Sequence, residues 1–81
     1  MIHPKEQLHG IGNYLLERFG LKWYIVSPED YLCLSDIDVK IYRREYAFEV
    51  ISLTSNTYKH VLLFSPMQVI NYIITRKYEV K

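Results

Sequence analysis

Two stretches of alternating apolar and polar residues in the middle of the chain constrain its fold most strongly. The apolar members recur at every second position, at Ile37, Val39 and Ile41 and then at Tyr46, Phe48 and Val50. A period of two is typical of strands that bury one face. The two stretches therefore predict a β-hairpin.

The register of this hairpin is predicted from its side chains. The predicted cross-strand pairs are Ile41 with Phe48, Val39 with Val50, and Lys40 with Glu49. This register gives one apolar face and an ion pair on the other face. The connection between the strands lacks the Gly or Asn that a two-residue primed turn needs, so we expect a four-residue loop at 43–46.

Helical periodicity flanks the hairpin on both sides. An amphipathic helix is predicted from about Pro4 to Phe19, with Gly20 suited to a left-handed C-terminal cap. A second helix is predicted from Pro66 to about Tyr78, after an N-cap serine. Both ends of the first helix and the start of the second therefore carry recognisable signals.

Two glycines inside the first predicted helix leave an alternative open. Gly10 and Gly12 each cost about 0.5–1 kcal/mol relative to Ala in a helix interior. Either the regular helix starts later, or a neighbouring element approaches one of these positions closely.

The remaining apolar segments complete an α+β fold. A strand at about 23–26 is predicted to lead through Ser27-Pro28 into a short helical turn, and a last strand at about 58–64 is predicted to lie centrally in the sheet. We expect about four mainly antiparallel strands, with an N-terminal and a C-terminal helix packed on the sheet.

Size, charge and cysteine content narrow the class of protein. With 81 residues the chain is predicted to form one small domain over 1–81. Its net charge of +1 excludes a strongly basic nucleic-acid coat. A single cysteine, Cys33, allows no internal disulfide, and no export signal or membrane-length apolar run is visible, so a cytoplasmic location is expected.

Aromatic content predicts how such a chain works. Its eight Tyr exceed what a small core needs, so several should lie at the surface or at an interface. We expect a non-enzymatic protein–protein interaction module, of the small accessory or inhibitor type that phages and mobile elements often encode, with a homodimer as one form. The predicted partner-binding residues are Tyr42, Arg43, Arg44, Tyr46, Ile51 and Leu53.

A single-stranded nucleic-acid-binding module is the first alternative. Cations alternate with aromatic residues around the hairpin, and such a mixture can hold phosphates and stack bases. The cluster consists of Lys40, Tyr42, Arg43, Arg44, Tyr46 and, if the strands adjoin, Lys59 and His60.

The second alternative is a minimal nucleotidyltransferase-like domain. Asp36-Ile37-Asp38 after a helix and a strand resembles the Asp-x-Asp of the nucleotidyltransferase superfamily, and the resemblance implies a divalent metal with Glu49 as third carboxylate. The Gly-Ser or Gly-Gly pair of that family is replaced here by Val26-Ser27. We therefore favour solvated strand residues for both aspartates and expect no catalytic residue, metal or cofactor.

Overall fold

The computed structural model describes residues 4–27, 31–54 and 56–79. Its helices are α1 (Pro4–Phe19) and α2 (Pro66–Glu79), and its strands are β1 (Trp23–Val26), β2 (Tyr31–Leu34), β3 (Val39–Arg43), β4 (Phe48–Thr54) and β5 (Thr57–Leu63). The strands form one antiparallel sheet in the order β1-β2-β3-β4-β5. The predicted α+β class is confirmed, with five strands in place of about four.

The two helices begin and end where their local signals indicate. Gly20 adopts a φ of 69° at the end of α1, and its amide donates to the Leu16 carbonyl. At the start of α2, the Ser65 hydroxyl accepts a hydrogen bond from the Gln68 amide, and the Gln68 side chain accepts one from the Phe64 amide. The Gly20 amide satisfies a carbonyl in the last turn of α1, and the Ser65 and Gln68 side chains satisfy backbone amides at the start of α2.

The segment from Ser27 to Ser35 departs from the prediction. Pro28 and most of the expected helical turn lie outside the described residues. Tyr31–Leu34, expected to follow that turn as a non-regular segment, forms strand β2. Leu32, Cys33 and Leu34 are all buried, so this strand lacks the alternation that would identify it in the sequence.

The register of the β3–β4 hairpin differs from the predicted one by two residues. Ile41 lies opposite Val50, Val39 opposite Ser52 and Lys40 opposite Ile51. The loop is four residues long as expected but occupies 44–47, and the Arg44 amide donates to the Ala47 carbonyl. Because a shift of two preserves the alternation, the side chains of 39–41 and 48–50 still lie on their predicted faces. Tyr46, predicted to share a face with Phe48 and Val50, lies instead in the loop and is exposed.

The position of β5 is a further correction. It was predicted to be central, but it lies at the edge of the sheet and pairs only with β4 among the described strands. At its apolar end Val61 and Leu63 are half-buried and Leu62 is 58% exposed, so this apolar run does not reflect burial on both faces of the sheet.

The hydrophobic core lies on one face of the sheet. Leu8, Ile11 and Leu15 from α1 and Val69, Ile70 and Ile73 from α2 pack against the same set of strand residues. That set is Leu32, Leu34, Val39, Ile41, Phe48 and Val50. Both helices therefore cover the same face, which we call the inner face.

Candidate functional site

The opposite face of the sheet carries no helix of the described residues. We call it the outer face, and the register assigns it the side chains of Tyr24, Val26, Tyr31, Cys33, Lys40, Tyr42, Glu49, Ile51, Leu53, Tyr58, His60 and Leu62. Several are large and exposed. Tyr24 is 52%, Tyr58 56% and Leu62 58% exposed, whereas Ile51 and Leu53 are half-buried. An uncovered apolar and aromatic surface of this kind is a candidate interaction site.

Two tyrosines at the centre of the outer face stack on each other. The ring centroids of Tyr31 and Tyr42 are 4.4 Å apart, with 25° between the ring planes. The Arg44 guanidinium lies 4.5 Å from the centroid of the Tyr42 ring, and the Lys40 ammonium lies 5.9 Å from that of Tyr31. Ring faces in this column are thus in contact with one another and with cations.

Glu49 forms hydrogen bonds with two side chains near the stacked tyrosines, Arg44 and His60. The Arg44 Nε donates to its Oε1 at 2.8 Å, and the His60 Nδ1 lies 3.0 Å from its Oε2. The hydrogen bond from His60, followed by that from Arg44, holds the pKa of Glu49 below its usual value. The Arg44 charge is therefore already paired with a carboxylate.

Lys40 is the cation at the middle of the outer face. The neighbouring Tyr31 phenol is the largest of the influences that raise the pKa of Lys40, so the ammonium stays protonated at neutral pH. Within residues 4–27, 31–54 and 56–79, this ammonium forms no salt bridge with a carboxylate.

Tyr24 lies beside Cys33 on the same face. A hydrogen bond with the Cys33 thiol raises the pKa of Tyr24, so the Tyr24 phenol stays neutral.

The predicted partner-binding residues do not all meet on the outer face. Tyr42, Ile51 and Leu53 lie on it, and Tyr46 is 82% exposed in the adjoining loop. Arg43 has the opposite orientation, because its Nε donates to the Gln7 Oε1 of α1 at 2.8 Å.

The cations of the predicted nucleic-acid cluster divide in the same way. Lys40 and His60 belong to the outer face, and Arg44 contacts it through Tyr42. Lys59 lies opposite Ser52 and, like Arg43, alternates to the inner side of the sheet. The hairpin therefore does not bring all of its positive charges together.

Sequence reasoning missed the large outer-face side chains of Tyr24, Tyr31, Tyr58 and Leu62. The available signal was the period of two within each strand, which places Tyr58, His60 and Leu62 on one side of β5. For Tyr24 and Tyr31 that signal could be used only with the β1–β2 pairing, which the prediction lacked.

The two aspartates of the Asp-Ile-Asp motif lie in a turn at 35–38, not on a strand as predicted. The Asp36 carboxylate accepts a hydrogen bond from the Lys22 amide at 3.1 Å, and the Asp38 backbone carbonyl accepts one from Leu53. In the part of the chain that the structure describes, no three His, Cys, Asp or Glu side chains are grouped as a metal site.

Comparison of the chain with models of known protein families, with curated proteins and with solved structures finds no match. Neither of the helices, over the described residues, has the length and apolar character needed to cross a membrane.

Proposed function

We propose that this chain is a non-enzymatic interaction module that binds another protein through its outer face. One observation carries the proposal: both helices pack on the inner face, while the outer face exposes more than half of the Tyr24, Tyr58 and Leu62 side chains. Burying such a surface against a partner removes apolar area from water, which favours association.

The composition of the outer face supports a protein as the partner. Tyr and Arg are enriched at protein interfaces, where a tyrosine contributes a large apolar ring and a hydroxyl that can form hydrogen bonds. Arg44 and Glu49 already form an ion pair there, so their mutual attraction compensates in part for the solvation that these two charges would lose on binding.

The contacts of the tyrosines and arginines favour a protein over a single-stranded nucleic acid. Base stacking needs free ring faces, but Tyr31 and Tyr42 stack on each other. Phosphate binding needs converging cations, but Arg44 is paired with Glu49, and Arg43 is directed toward α1. A partner protein with a neutral, aromatic surface therefore suits these contacts better than a single-stranded nucleic acid does.

Affinity capture with a matched pair of variants tests the proposal. Tyr24→Lys adds a charge to the outer face, whereas Leu16→Lys adds the same charge to an exposed position on α1. We expect the wild type and Leu16→Lys to retain the same protein from a cell extract, and Tyr24→Lys to retain it at least about tenfold less. Circular dichroism confirms that each variant is folded.

Two outcomes would contradict the proposal. One is equal retention of the same protein by all three forms, which would locate binding away from the outer face. The other is binding of a labelled single-stranded oligonucleotide that weakens steeply with salt and exceeds any protein binding, which would favour a nucleic-acid-binding module.

A further inference from the structure

Strand β5 is a long and exposed edge of the sheet. It has seven residues, whereas β1 at the other edge has four and packs against α1 through Trp23. Thr57 and Lys59 face the inner side and Tyr58 and His60 the outer side, yet all four are exposed. The first half of β5 therefore extends beyond the helical layer, with both faces in water.

The devices that usually protect an edge strand are few in β5. Proteins blunt exposed edges with prolines, bulges, short strands or charges. Thr57–Leu63 contains no proline, pairs with β4 at seven consecutive positions without a bulge, and has Lys59 as its one Lys, Arg, Asp or Glu residue. Its outward backbone groups thus form a regular edge about 24 Å long on which another strand can pair.

We propose that two copies of the chain pair through β5, antiparallel, about a two-fold axis at His60. In this register Tyr58 of each copy lies opposite Leu62 of the other, so the two most exposed apolar side chains of the strand cover each other twice. Lys59 lies opposite Val61, so the two lysines are not directly opposed.

The strand's own sequence selects this register. A two-fold axis perpendicular to the sheet keeps each side chain on its own face of the sheet. Such an axis must lie midway between the two copies of one residue, which then pairs with itself. An axis at Lys59 would oppose two ammonium groups and shorten the overlap, and an axis at Val61 would also shorten it. An axis at His60 pairs all seven residues and forms roughly six to eight backbone hydrogen bonds.

The resulting dimer has one continuous ten-stranded sheet. Because the axis is perpendicular to the sheet, the helices of both copies stay on the same side, and the two outer faces join into one larger surface. The pairing uses the backbone edge of β5 together with Tyr58 and Leu62, and it does not involve Tyr24 at the far edge of the outer face, so it goes beyond the proposed function.

Paired charge variants test both the dimer and its register. We expect sedimentation equilibrium to show a wild-type dimer, and Tyr58→Lys and Leu62→Glu alone to raise the dissociation constant at least about tenfold. Mixed one to one, these two variants place the new lysine opposite the new glutamate and should dimerise more tightly than either alone. Tyr24→Lys, at the opposite edge of the sheet, should leave the dimer unchanged.

Three results would overturn the inference. The first is a wild-type chain that stays monomeric up to about 1 mM, a concentration that corresponds to roughly 4 kcal/mol of association free energy. The second is a mixture of the two variants that gains nothing over either alone. The third is a dimer lost in Tyr24→Lys but kept in Tyr58→Lys, which would place self-association on the outer face. Loss of the capture partner in Tyr24→Lys without loss of the dimer separates this inference from the proposed function.

Discussion

Gly12 allows β1 to approach α1 closely. A Cβ placed on Gly12 would lie 2.5 Å from the Cδ2 atom of Trp23, inside the van der Waals contact distance of the indole ring. A Cβ on Gly10, two positions earlier in the same helix, would meet no atom of the described residues within 4 Å. The alternative that a neighbouring element packs against a glycine therefore holds for Gly12, and Gly10 has no such packing role.

The two glycines should respond oppositely to the same substitution. We expect Gly10→Ala to stabilise the protein by about 0.5–1 kcal/mol, the helix propensity gain. Gly12→Ala gains the same propensity but must displace the Trp23 ring, and overpacking typically costs about 1–3 kcal/mol, so a net loss is expected. Urea unfolding measures both. Equal stabilisation by the two variants would show that Trp23 does not pack on Gly12.

Glu49 should make the stability depend on pH in the acid range. The hydrogen bonds from His60 and Arg44 lower its pKa in the folded state, so its stabilising contribution is present above its unfolded pKa of about 4.5. That contribution is lost as the pH falls through the lowered pKa of the folded state. We expect the gap in unfolding free energy between wild type and Glu49→Gln to shrink from pH 6 to pH 3.

The matched control for this titration is Glu17→Gln on the exposed surface of α1. Glu17→Gln removes the same formal charge from the chain, so it controls for the change in net charge alone. A gap for Glu49→Gln that stays constant down to pH 3 would mean that the contacts with His60 and Arg44 do not favour the ionised carboxylate.

At the scale of elements, Arg43 connects the β3–β4 hairpin to α1. Its guanidinium donates to the Gln7 side chain of α1 at 2.8 Å and to the Ala47 carbonyl at 3.1 Å, and it lies 4.9 Å from the Phe48 ring centroid. Arg44, the next residue, is 53% exposed and paired with Glu49. Arg43 thus has a structural role, whereas Arg44 has a role at the surface.

Alanine substitution should separate these roles. We expect Arg43→Ala to lower the unfolding free energy by about 1–3 kcal/mol, because partly buried acceptors lose a charged donor. Arg44→Ala should cost less than about 1 kcal/mol, the usual value for an exposed ion pair. Chemical denaturation of both variants is the measurement, and a larger loss for Arg44→Ala would contradict the assignment.

The elements that could be predicted from the sequence are those with local signals. Pro4 favours the first position of a helix, and Gly20, Ser65 and Gln68 mark helix ends through contacts within a few residues. The structure confirms those ends. The register of the hairpin could not be predicted, since alternation is the same for registers that differ by two residues. In the observed register the Ala47 carbonyl accepts hydrogen bonds from the Arg43 side chain and the Arg44 amide. These contacts distinguish it from the predicted register.

The outer face could be predicted only in part for the same reason. Alternation along β4 placed Ile51 and Leu53 opposite the core, which the structure bears out. Tyr24 and Tyr31 join that face through the β1–β2 hairpin, and β2 lacks alternation because consecutive residues on both of its faces are buried. Because β2 is not recognisable from the sequence, the cross-strand contacts of Tyr24 and Tyr31 cannot be predicted from the sequence either.

At the scale of the whole molecule, the layers are unequal: two helices cover the inner face of the sheet, and none of the described residues forms a helix over the outer face. Neighbouring positions in one sheet therefore have different surroundings. Ile41 on β3 is fully buried under the helices, whereas Ile51 on the adjoining β4 is half-buried on the outer face. The same change at these two sites measures the asymmetry directly.

Removing one methyl group from each isoleucine should have unequal costs. Ile41→Val leaves a small cavity in a packed core and should lower the unfolding free energy by about 0.5–1.5 kcal/mol. Ile51→Val removes a methyl group that already contacts water in part, and it should change that free energy by less than about 0.5 kcal/mol. Both chains keep the same backbone preference, since each substitution exchanges β-branched residues. Equal losses in urea unfolding at low protein concentration would show that something covers the outer face of the isolated chain, and the two-layer description would then be wrong.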